Sequence, residues 1–409
     1  MVRLAKAGVY NMGWSNWDEA VALGVEAEKG GDKVQFFTDL MVRYLFKETG
    51  EKIFGKEKLA PSPFPGILSN GVQAVPYGPE LMGVTDPLLV MGAVGAQTST
   101  MEMLLGAIDC VRHAPQKLLQ SFLTLDHITK GRGIYALGGS EIKQLTPYGF
   151  SRIGSAKKLE EAIQIIRLLL EAEGGPVHFQ GEHWKMKGGS MPIRPYGDKP
   201  PKIICAPGVS NEIMGRYSDG MLTNTKRHPG GLEGFRRDVA IMRESAAKAG
   251  RNPDDLIVSA CPQIIMHDDP AKVQELANSR ELKFVTMMTG KERGYMWKDY
   301  GFEHPLGDEF GYARKQRPED ADPEVINAAI EKVPAEAVTQ IGFHAGSVQQ
   351  IIDELSAWVE AGLDYIGIVD YGLWVDHDIA PAAAENHRKL VDALQKVEVK
   401  HPKVALEDA

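Results

Sequence analysis

The chain has 409 residues, of which 43% are hydrophobic and 25% are charged, as is usual for a globular protein with a large buried core. Its formal net charge of -9 argues against a nucleic-acid partner, because phosphate binding requires a basic surface. No stretch approaches the roughly 18 consecutive apolar residues of a membrane span, and the start of the chain lacks a signal-peptide pattern, so we expect a cytoplasmic protein with no membrane partner.

Short β-rich segments alternate with longer helical patterns along the chain, which favours a parallel sheet over a sandwich. In chain order the predicted strands are Leu4–Tyr10, Lys33–Phe37, Met103–Ile108, Ile134–Gly138, Lys202–Ala206, Asp219–Thr223, Leu256–Ile265 and Asp364–Val369. Eight strands separated by helices predict an α/β fold, a (β/α)8 TIM barrel with insertions. Before the last strand, Ser347 and Gln350 form a capping-box pattern, and Gly362 stands where a glycine ends a helix.

Three long connections do not fit a bare barrel, at about residues 40–86, 174–201 and 266–346. We expect residues 1–397 to form a single barrel domain with these insertions, followed by a polar tail at 398–409. Long connections of this kind are usually functional lids or dimer-forming elements. In the longest one, Trp297, Tyr300 and Phe302 are predicted to shape the pocket of a medium-to-large organic substrate.

The carboxyl ends of the predicted strands carry polar residues and glycines, and in this barrel class the chemistry takes place there. Asp39 follows the second strand, although an aspartate there could also cap the next segment. Glu141 follows Gly138, Gly139 and Ser140, although it could be a first-turn acid of a helix.

Two later strand ends complete the predicted rim. Ala206, Pro207 and Gly208 follow the fifth strand and form a small-residue turn. Lys226 and Arg227 follow the sixth strand. These two cations could bind a phosphate or carboxylate group, or they could be ordinary solvated charges.

Several other classes of site are excluded or weakly indicated. There is no Walker motif and no Gly-x-Gly-x-x-Gly after a strand. The cysteines Cys110, Cys205 and Cys261 are far apart and show no metal-binding spacing, so we predict reduced thiols and no metal.

Several ordered motifs resemble the luciferase-like flavin and deazaflavin oxidoreductases. They are Arg112–Pro115, then Leu125–Arg132, which reads Leu-Asp-His-Ile-Thr-Lys-Gly-Arg, then Gly138–Glu141, and later Gly215–Gly220. The segment Tyr300–Gly307 is most similar to the deazaflavin-dependent branch, and in particular to ketoreductases acting on phthiodiolone-type lipids. The likeness spans nearly the whole chain.

The resemblance implies a barrel, usually a homodimer, that binds an isoalloxazine-like ring across its strand ends. It implies coenzyme F420 as cofactor, with FMN as the alternative, and a phosphate tail near the loops after strands five and six. A non-proline cis peptide is expected within Leu105–Ala107, at Gly106–Ala107. The implied cofactor contacts are Asp39, Leu105, Gly106, Ala107, Ile108, Gly138, Gly139, Ser140, Ala206, Pro207, Gly208, Lys226 and Arg227.

The sequence also departs from the family pattern. Deazaflavin alcohol dehydrogenases of this fold carry histidine after the strand-two aspartate, where this chain has Leu40. Glu141 is therefore our first choice for the proton donor or acceptor, and Asp39 would orient the cofactor or a water molecule. We expect hydride transfer between the deazaflavin and an organic carbonyl or alcohol, with a small-molecule substrate. The alternatives are an FMN-dependent two-component monooxygenase and a non-catalytic cofactor-binding barrel.

Overall fold

The computed structural model describes residues 2–11, 17–41, 44–57, 67–68, 71–72 and 84–401. Most of the predicted 40–86 insertion and residues 402–409 of the predicted tail lie outside this part of the chain. The strands are β1 Lys6–Asn11, β2 Val34–Phe37, β3 Ile67–Leu68, β4 Gly71–Val72, β5 Glu102–Asp109, β6 Gly133–Gly138, β7 Val177–Gln180, β8 Lys185–Gly189, β9 Lys202–Cys205, β10 Gly220–Thr223, β11 Ile257–Ala260, β12 Gln263–Met266, β13 His344–Gly346 and β14 Tyr365–Asp370.

The helices alternate with the barrel strands and also fill the insertions. They are α1 Trp17–Gly30, α2 Lys47–Phe54, α3 Pro87–Gln97, α4 Pro115–Thr129, α5 Ile142–Leu145, α6 Ser155–Glu171, α7 Asn211–Tyr217, α8 Gly231–Lys248, α9 Pro270–Ala277, α10 Arg280–Thr289, α11 Tyr312–Lys315, α12 Pro323–Ile330, α13 Ala335–Ala337, α14 Val348–Glu360, α15 Gly372–Val375 and α16 Ala380–Leu394. None of the helices in the described ranges combines the length and the hydropathy that a membrane crossing requires.

Eight parallel strands close into a barrel, which confirms the predicted fold. Their order is β1, β2, β5, β6, β9, β10, β11 and β14, and β14 pairs back with β1 through Lys6 opposite Tyr365. Closure leaves no free sheet edge, and all eight carboxyl ends reach one rim. The fold therefore gathers residues that are far apart in sequence at that rim.

The predicted seventh strand, Leu256–Ile265, is interrupted in the structure. It forms β11 and β12, and Cys261 and Pro262 lie between them. Proline has no backbone N–H and cannot donate to a sheet ladder, which is why the strand breaks there. The second piece pairs with β14 and also with β13, so it extends the sheet beyond the barrel.

Apolar side chains form three cores around and above the barrel. Leu104, Ile134, Ile204 and their neighbours fill the barrel interior, and a larger cluster lies between the strands and the surrounding helices. The third core includes Trp297 and joins the 266–346 insertion to α2, α15 and the end of β14. The 174–201 insertion contains the antiparallel pair of β7 and β8.

The helix signals near the last strand are confirmed. The Ser347 side chain accepts from the Gln350 N–H, and the Gln350 side chain accepts from the Ser347 N–H, which completes the capping box of α14. Gly362 follows this helix with a positive φ of 113°, a conformation that side chains disfavour. The chain can therefore turn directly from α14 into β14.

Candidate active site

A cavity of about 850 Å³ opens at the carboxyl ends of the barrel strands. It is the place where chemistry occurs in this barrel class. Most of the residues that the sequence singled out line it together: Asp39, Gly106, Ala107, Gly138, Gly139, Ser140, Glu141, Ala206, Pro207, Gly208 and Arg227. Leu40, which stands where related alcohol dehydrogenases carry histidine, also lines it.

The side chains of three predicted cofactor residues lie away from the cavity. Leu105 and Ile108 are buried in the layer between the barrel and the helices. The pairing of β5 with β6 shifts register between Gly106 and Ile108, so Gly106 and Ala107 line the cavity between them. The Lys226 ammonium instead forms a 2.9 Å ion pair with the Glu354 carboxylate.

Small residues at three adjacent strand ends form the floor of the cavity. A methyl group built at Gly138 would lie 3.4 Å from Ala107 Cβ and 3.7 Å from Ala206 Cβ. The peptide bond between Gly106 and Ala107 is cis, as the resemblance implied. No side chain longer than a methyl group rises from these three positions, so a flat ring can lie directly against them.

Asp39 belongs to a charged cluster on one side of this floor. Its carboxylate lies 2.6 Å from Arg112 Nη2, and Arg112 Nε contacts Asp109 at 2.5 Å. Burial raises the pKa of Asp39, and the neighbouring Arg112 only partly offsets that effect. Among the described residues no helix begins directly after Asp39, and α2 begins at Lys47.

The cluster around Asp39 also has the composition of a possible metal site. Ligand atoms of Asp39, Asp109 and His113 lie within 4.8 Å of one another. Arg112 already neutralises both carboxylates, and His113 Nδ1 contacts the Asp109 carbonyl oxygen at 3.0 Å. These contacts compete with metal binding, and the expectation of no metal stays a prediction.

Glu141 lies at another point of the cavity wall, immediately before α5. It occupies the N-cap position rather than the first turn of α5, and its side chain makes no capping hydrogen bond. Its carboxylate pairs with the ammonium of Lys143, a side chain with no solvent exposure. The Lys143 ammonium also lies 3.6 Å from the centre of the Tyr312 ring, a cation–π contact. The glutamate itself keeps 25% of its side chain exposed towards the cavity.

Polar atoms with no protein partner mark where an anion can bind. Arg227 Nε and Ser140 Oγ are buried without a hydrogen-bond partner among the described residues. Gly154, Ser155 and Ala156, at the start of α6, also line the cavity. The first-turn amides of a helix lack intrahelical acceptors and favour negative charge. This set suits a phosphate group.

The structure adds two arginines that the sequence analysis did not single out. Arg152 and Arg314 line the cavity, and neither makes an ion pair with another described residue. Tyr312, from the same insertion as Arg314, lines it as well. Arg314 occurs in the basic run Tyr-Ala-Arg-Lys-Gln-Arg, which is typical of a solvated surface, so no local signal marks it.

The prediction for the aromatic residues of the 266–346 insertion was wrong. Trp297 is fully buried in the third core, and Tyr300 and Phe302 pack against it rather than lining the cavity. His304 is buried in the same region, where its Nε2 contacts the Met287 carbonyl oxygen at 2.8 Å. This part of the insertion serves packing, and the cavity residues of the insertion come from α11 and its neighbours.

Comparison with known proteins agrees with this fold. The profile of the luciferase-like monooxygenase family matches residues 69–365. A phthiodiolone/phenolphthiodiolone dimycocerosates ketoreductase of Mycobacterium kansasii is 27% identical over 293 residues, covering 71% of this chain and 78% of that protein.

Two solved structures share the fold. An F420-dependent secondary alcohol dehydrogenase in complex with an F420–acetone adduct superposes with a TM-score of 0.65 and 15% identity, covering 96% of this chain and 99% of that one. The oxygenating constituent of 3,6-diketocamphane monooxygenase of Pseudomonas putida, in complex with FMN, has a TM-score of 0.53 and 16% identity, covering 98% and 99%. The family profile spans most of the chain and the barrel is the same, so this protein belongs to the luciferase-like monooxygenase family.

Proposed function

We propose that this protein is an oxidoreductase that transfers a hydride between coenzyme F420 and an organic carbonyl or alcohol, and that it acts as a reductase. The observation that carries the proposal is a flat floor of small residues with two carboxyl groups, Asp39 and Glu141, on the same cavity. The ketoreductase relative and the F420-dependent structural neighbour support this choice. A cytoplasmic homodimer remains part of the proposal.

The residues present fit such a cofactor. A side chain larger than alanine at Gly138 would occupy the space that a flat ring needs against Ala107 and Ala206. The unpartnered Arg227 Nε and the amides at the start of α6 suit the phosphate of its tail. When bound, such a ring supplies a hydride for carbonyl reduction or accepts one in alcohol oxidation.

The protein's own contribution is to place the substrate and move a proton. Reduction of a ketone adds one hydride to the carbonyl carbon and one proton to the oxygen, giving an alcohol and the oxidised cofactor. We assign the proton to the Glu141 carboxyl group, with Lys143 beside it as a polar partner. Asp39, fixed by Arg112, orients the ring or a water molecule, and its raised pKa makes it the competing proton donor.

Reconstitution with each cofactor tests the proposal. The purified protein is incubated with F420 and, separately, with FMN, and uptake is measured by native mass spectrometry. We expect F420 to bind, and the reduced cofactor to be oxidised by a ketone without oxygen consumption. Tight uptake of FMN alone, with oxygen consumption by its reduced form, would identify a monooxygenase instead, as the FMN-bound neighbour suggests. Uptake without turnover on ketones or alcohols would indicate a non-catalytic binding protein.

A further inference from the structure

Two cationic side chains lie beside the proposed proton donor. Arg152 follows β6 in the chain, and Arg314 comes from α11 in the 266–346 insertion, yet both line the same cavity as Glu141. Burial lowers the pKa of Arg152, and the positive charges of Arg314 and Arg293 lower it further, whereas the Glu141 carboxylate raises it. Two like charges held together in one cavity cost free energy unless an anion joins them.

A hydrogen bond holds the Arg152 side chain in place, whereas the Arg314 side chain is exposed and is positioned by its helix. Arg152 Nε donates to the Ser140 carbonyl oxygen at 3.2 Å, which leaves its two terminal nitrogens available. Arg314 lies on α11, which begins at Tyr312. The Lys143 ammonium nitrogen lies 3.6 Å from the centre of the Tyr312 ring. The pair of Glu141 with Lys143 therefore fixes the helix that carries Arg314.

No carboxylate of the described residues neutralises these two arginines. The Glu141 carboxylate, whose charge acts on Arg152, is already paired with Lys143. Each guanidinium presents a planar set of donors that matches a carboxylate or phosphate. This arrangement differs from that of Arg112, whose charge is balanced by two aspartates.

We propose that Arg152 and Arg314 form an anion-binding subsite for the substrate, which is therefore a carbonyl or hydroxyl compound bearing a carboxylate or phosphate group. The inference rests on the proposed function, because it places the reacting carbonyl at Glu141. The cation proposed for the phosphate of the cofactor tail is a different residue, Arg227, which follows β10, but Arg152 adjoins the start of α6 that the same phosphate would use. Labelling with cofactor alone therefore has to distinguish the two sources of the anion. The subsite also distinguishes this cavity from one built for an uncharged ketone.

Arginine modification in the cofactor-loaded protein tests the subsite without requiring turnover. Phenylglyoxal labelling of individual arginines is followed by mass spectrometry, with 4-oxopentanoate, inorganic phosphate or neutral 2-pentanone present. We expect the two anions to slow labelling of Arg152 and Arg314 at least about tenfold, and 2-pentanone to have no effect. Arg236, on the outer helix α8 and 43% exposed, is the internal control and is labelled at one rate throughout.

The possible results separate the sources of the anion. If loading with cofactor alone protects both arginines, they bind the cofactor tail and the inference is overturned. Labelling that neither anion slows overturns it as well. The proposed function fails in a different way, when no ketone of any charge oxidises the reduced cofactor.

Variants give a second, quantitative test. Arg152→Gln and Arg314→Gln should each weaken protection by 4-oxopentanoate about 10- to 100-fold while cofactor affinity changes less than about twofold. Lys315→Gln, a charge removed from the same short helix at an exposed position, is the matched control and should change neither. Arg227→Gln should show the opposite pattern, with weaker cofactor binding and normal anion protection. Equal loss of cofactor affinity in Arg152→Gln would contradict the assignment.

Discussion

Both ends of the barrel carry charged and polar side chains, but the two ends differ in whether these groups find partners within the protein. At the amino end, Lys6 pairs with Glu102, and the Tyr365 hydroxyl lies 3.3 Å from Lys6 Nζ and 3.5 Å from Glu102 Oε1. At the carboxyl end, Arg152 and Arg227 line a cavity without an ion pair to any described residue. The amino end satisfies its charges internally, whereas the carboxyl end leaves donors available to a ligand.

This difference separates stability from function along one barrel. A charged group whose partners are all within the protein contributes to folding, and its loss lowers the free energy of unfolding. A group held without a partner contributes little to folding and becomes useful when a ligand binds. Replacing glutamate by glutamine should therefore mainly lower stability at Glu102, and mainly lower turnover at Glu141, which pairs with Lys143 but also lines the cavity.

The largest effect is expected at the carboxyl end. Glu141→Gln keeps the shape of the side chain but removes the group that exchanges the proton, so turnover should fall by roughly 10²–10⁴ fold with cofactor affinity nearly unchanged. The measurement is the oxidation rate of the reduced cofactor by a ketone. Because the variant removes the carboxylate that pairs with the buried Lys143 ammonium, the double variant Glu141→Gln/Lys143→Met serves as the control for misfolding.

Asp39 offers the clearest way to break this assignment. If Glu141→Gln retains turnover while Asp39→Asn loses it, the proton role moves to Asp39. Burial raises the pKa of Asp39, so its protonated form persists to higher pH than for an ordinary aspartate. Reduction catalysed by Asp39 would slow as pH rises through that raised pKa, and Asp39→Asn would lack this pH dependence.

The next largest effect concerns the floor of the cavity. Gly138→Val should fold, because the nearest side-chain atoms to a new Cβ are 3.4 and 3.7 Å away, which is ordinary contact. Its branched side chain would rise where the ring lies, so we expect cofactor affinity to fall about 5- to 100-fold, from roughly 1–3 kcal/mol of overpacking. Fluorescence titration with cofactor measures this change. Gly149 is exposed and lies outside the cavity, but Gly149→Ala cannot serve as the control, because a φ of 81° disfavours any side chain. Ala96→Val, at an exposed position on α3 outside the cavity lining, is a better one, and an unchanged affinity in Gly138→Val would place the ring elsewhere.

Much of this architecture could be predicted from the sequence because strands and their ends are local signals. Asp39, Gly138 and Glu141 each directly follow or end an apolar β-rich run, and parallel strands bring such ends together. The cis peptide at Gly106–Ala107 came from the family resemblance rather than from any local pattern. The break at Pro262 was missed, because the predicted strand Leu256–Ile265 ran through that proline, although proline cannot donate to a sheet ladder.

The residues that the sequence could not place depend on contacts between distant segments. Lys226 and Arg227 are adjacent cations, and only the position of Glu354 on α14 decides that the first is paired and the second lines the cavity. Arg314 reaches the cavity because α11 packs on α5 through Tyr312 and Lys143. Trp297 is apolar enough for either a pocket or a core, and composition alone does not distinguish them.

A smaller effect is expected from Glu354. This residue lies on α14, and Lys226, next to the cavity residue Arg227, balances its charge within the protein. It therefore tests whether a paired charge on this side of the barrel also contributes to stability. Burial alone would raise the pKa of Glu354, but its hydrogen bond to His344 and the charges of His344 and Lys226 outweigh burial and lower the pKa to about 2. A carboxyl group with a lowered pKa stabilises the fold above its ordinary pKa of 4.5, and that stabilisation is lost as pH falls from there towards 2.

Glu354→Gln should therefore lower the free energy of unfolding near neutral pH, by roughly 1–2 kcal/mol after allowing for the 39% exposure of the side chain. The difference between the variant and the natural protein should shrink below pH 4.5. Urea denaturation at a series of pH values measures both quantities. A difference that grows as pH falls would contradict the sign of the shift.

The smallest effect is expected at the amino end, where Glu102→Gln repeats the substitution proposed for Glu141. The ion pair with Lys6 is part-exposed, at 41% for the lysine side chain and 26% for the glutamate, so its loss should lower the free energy of unfolding by only about 0.5–1 kcal/mol. Turnover and cofactor affinity should stay within about twofold, because Glu102 begins β5 and the cavity lies at the other end of that strand. Lys6→Met in the same background removes the remaining charge, and it should restore part of the lost stability if the cost comes from an unpaired ammonium. A loss of turnover in Glu102→Gln with unchanged stability would mean that the amino end, too, serves the reaction, and the division between the two ends would no longer hold.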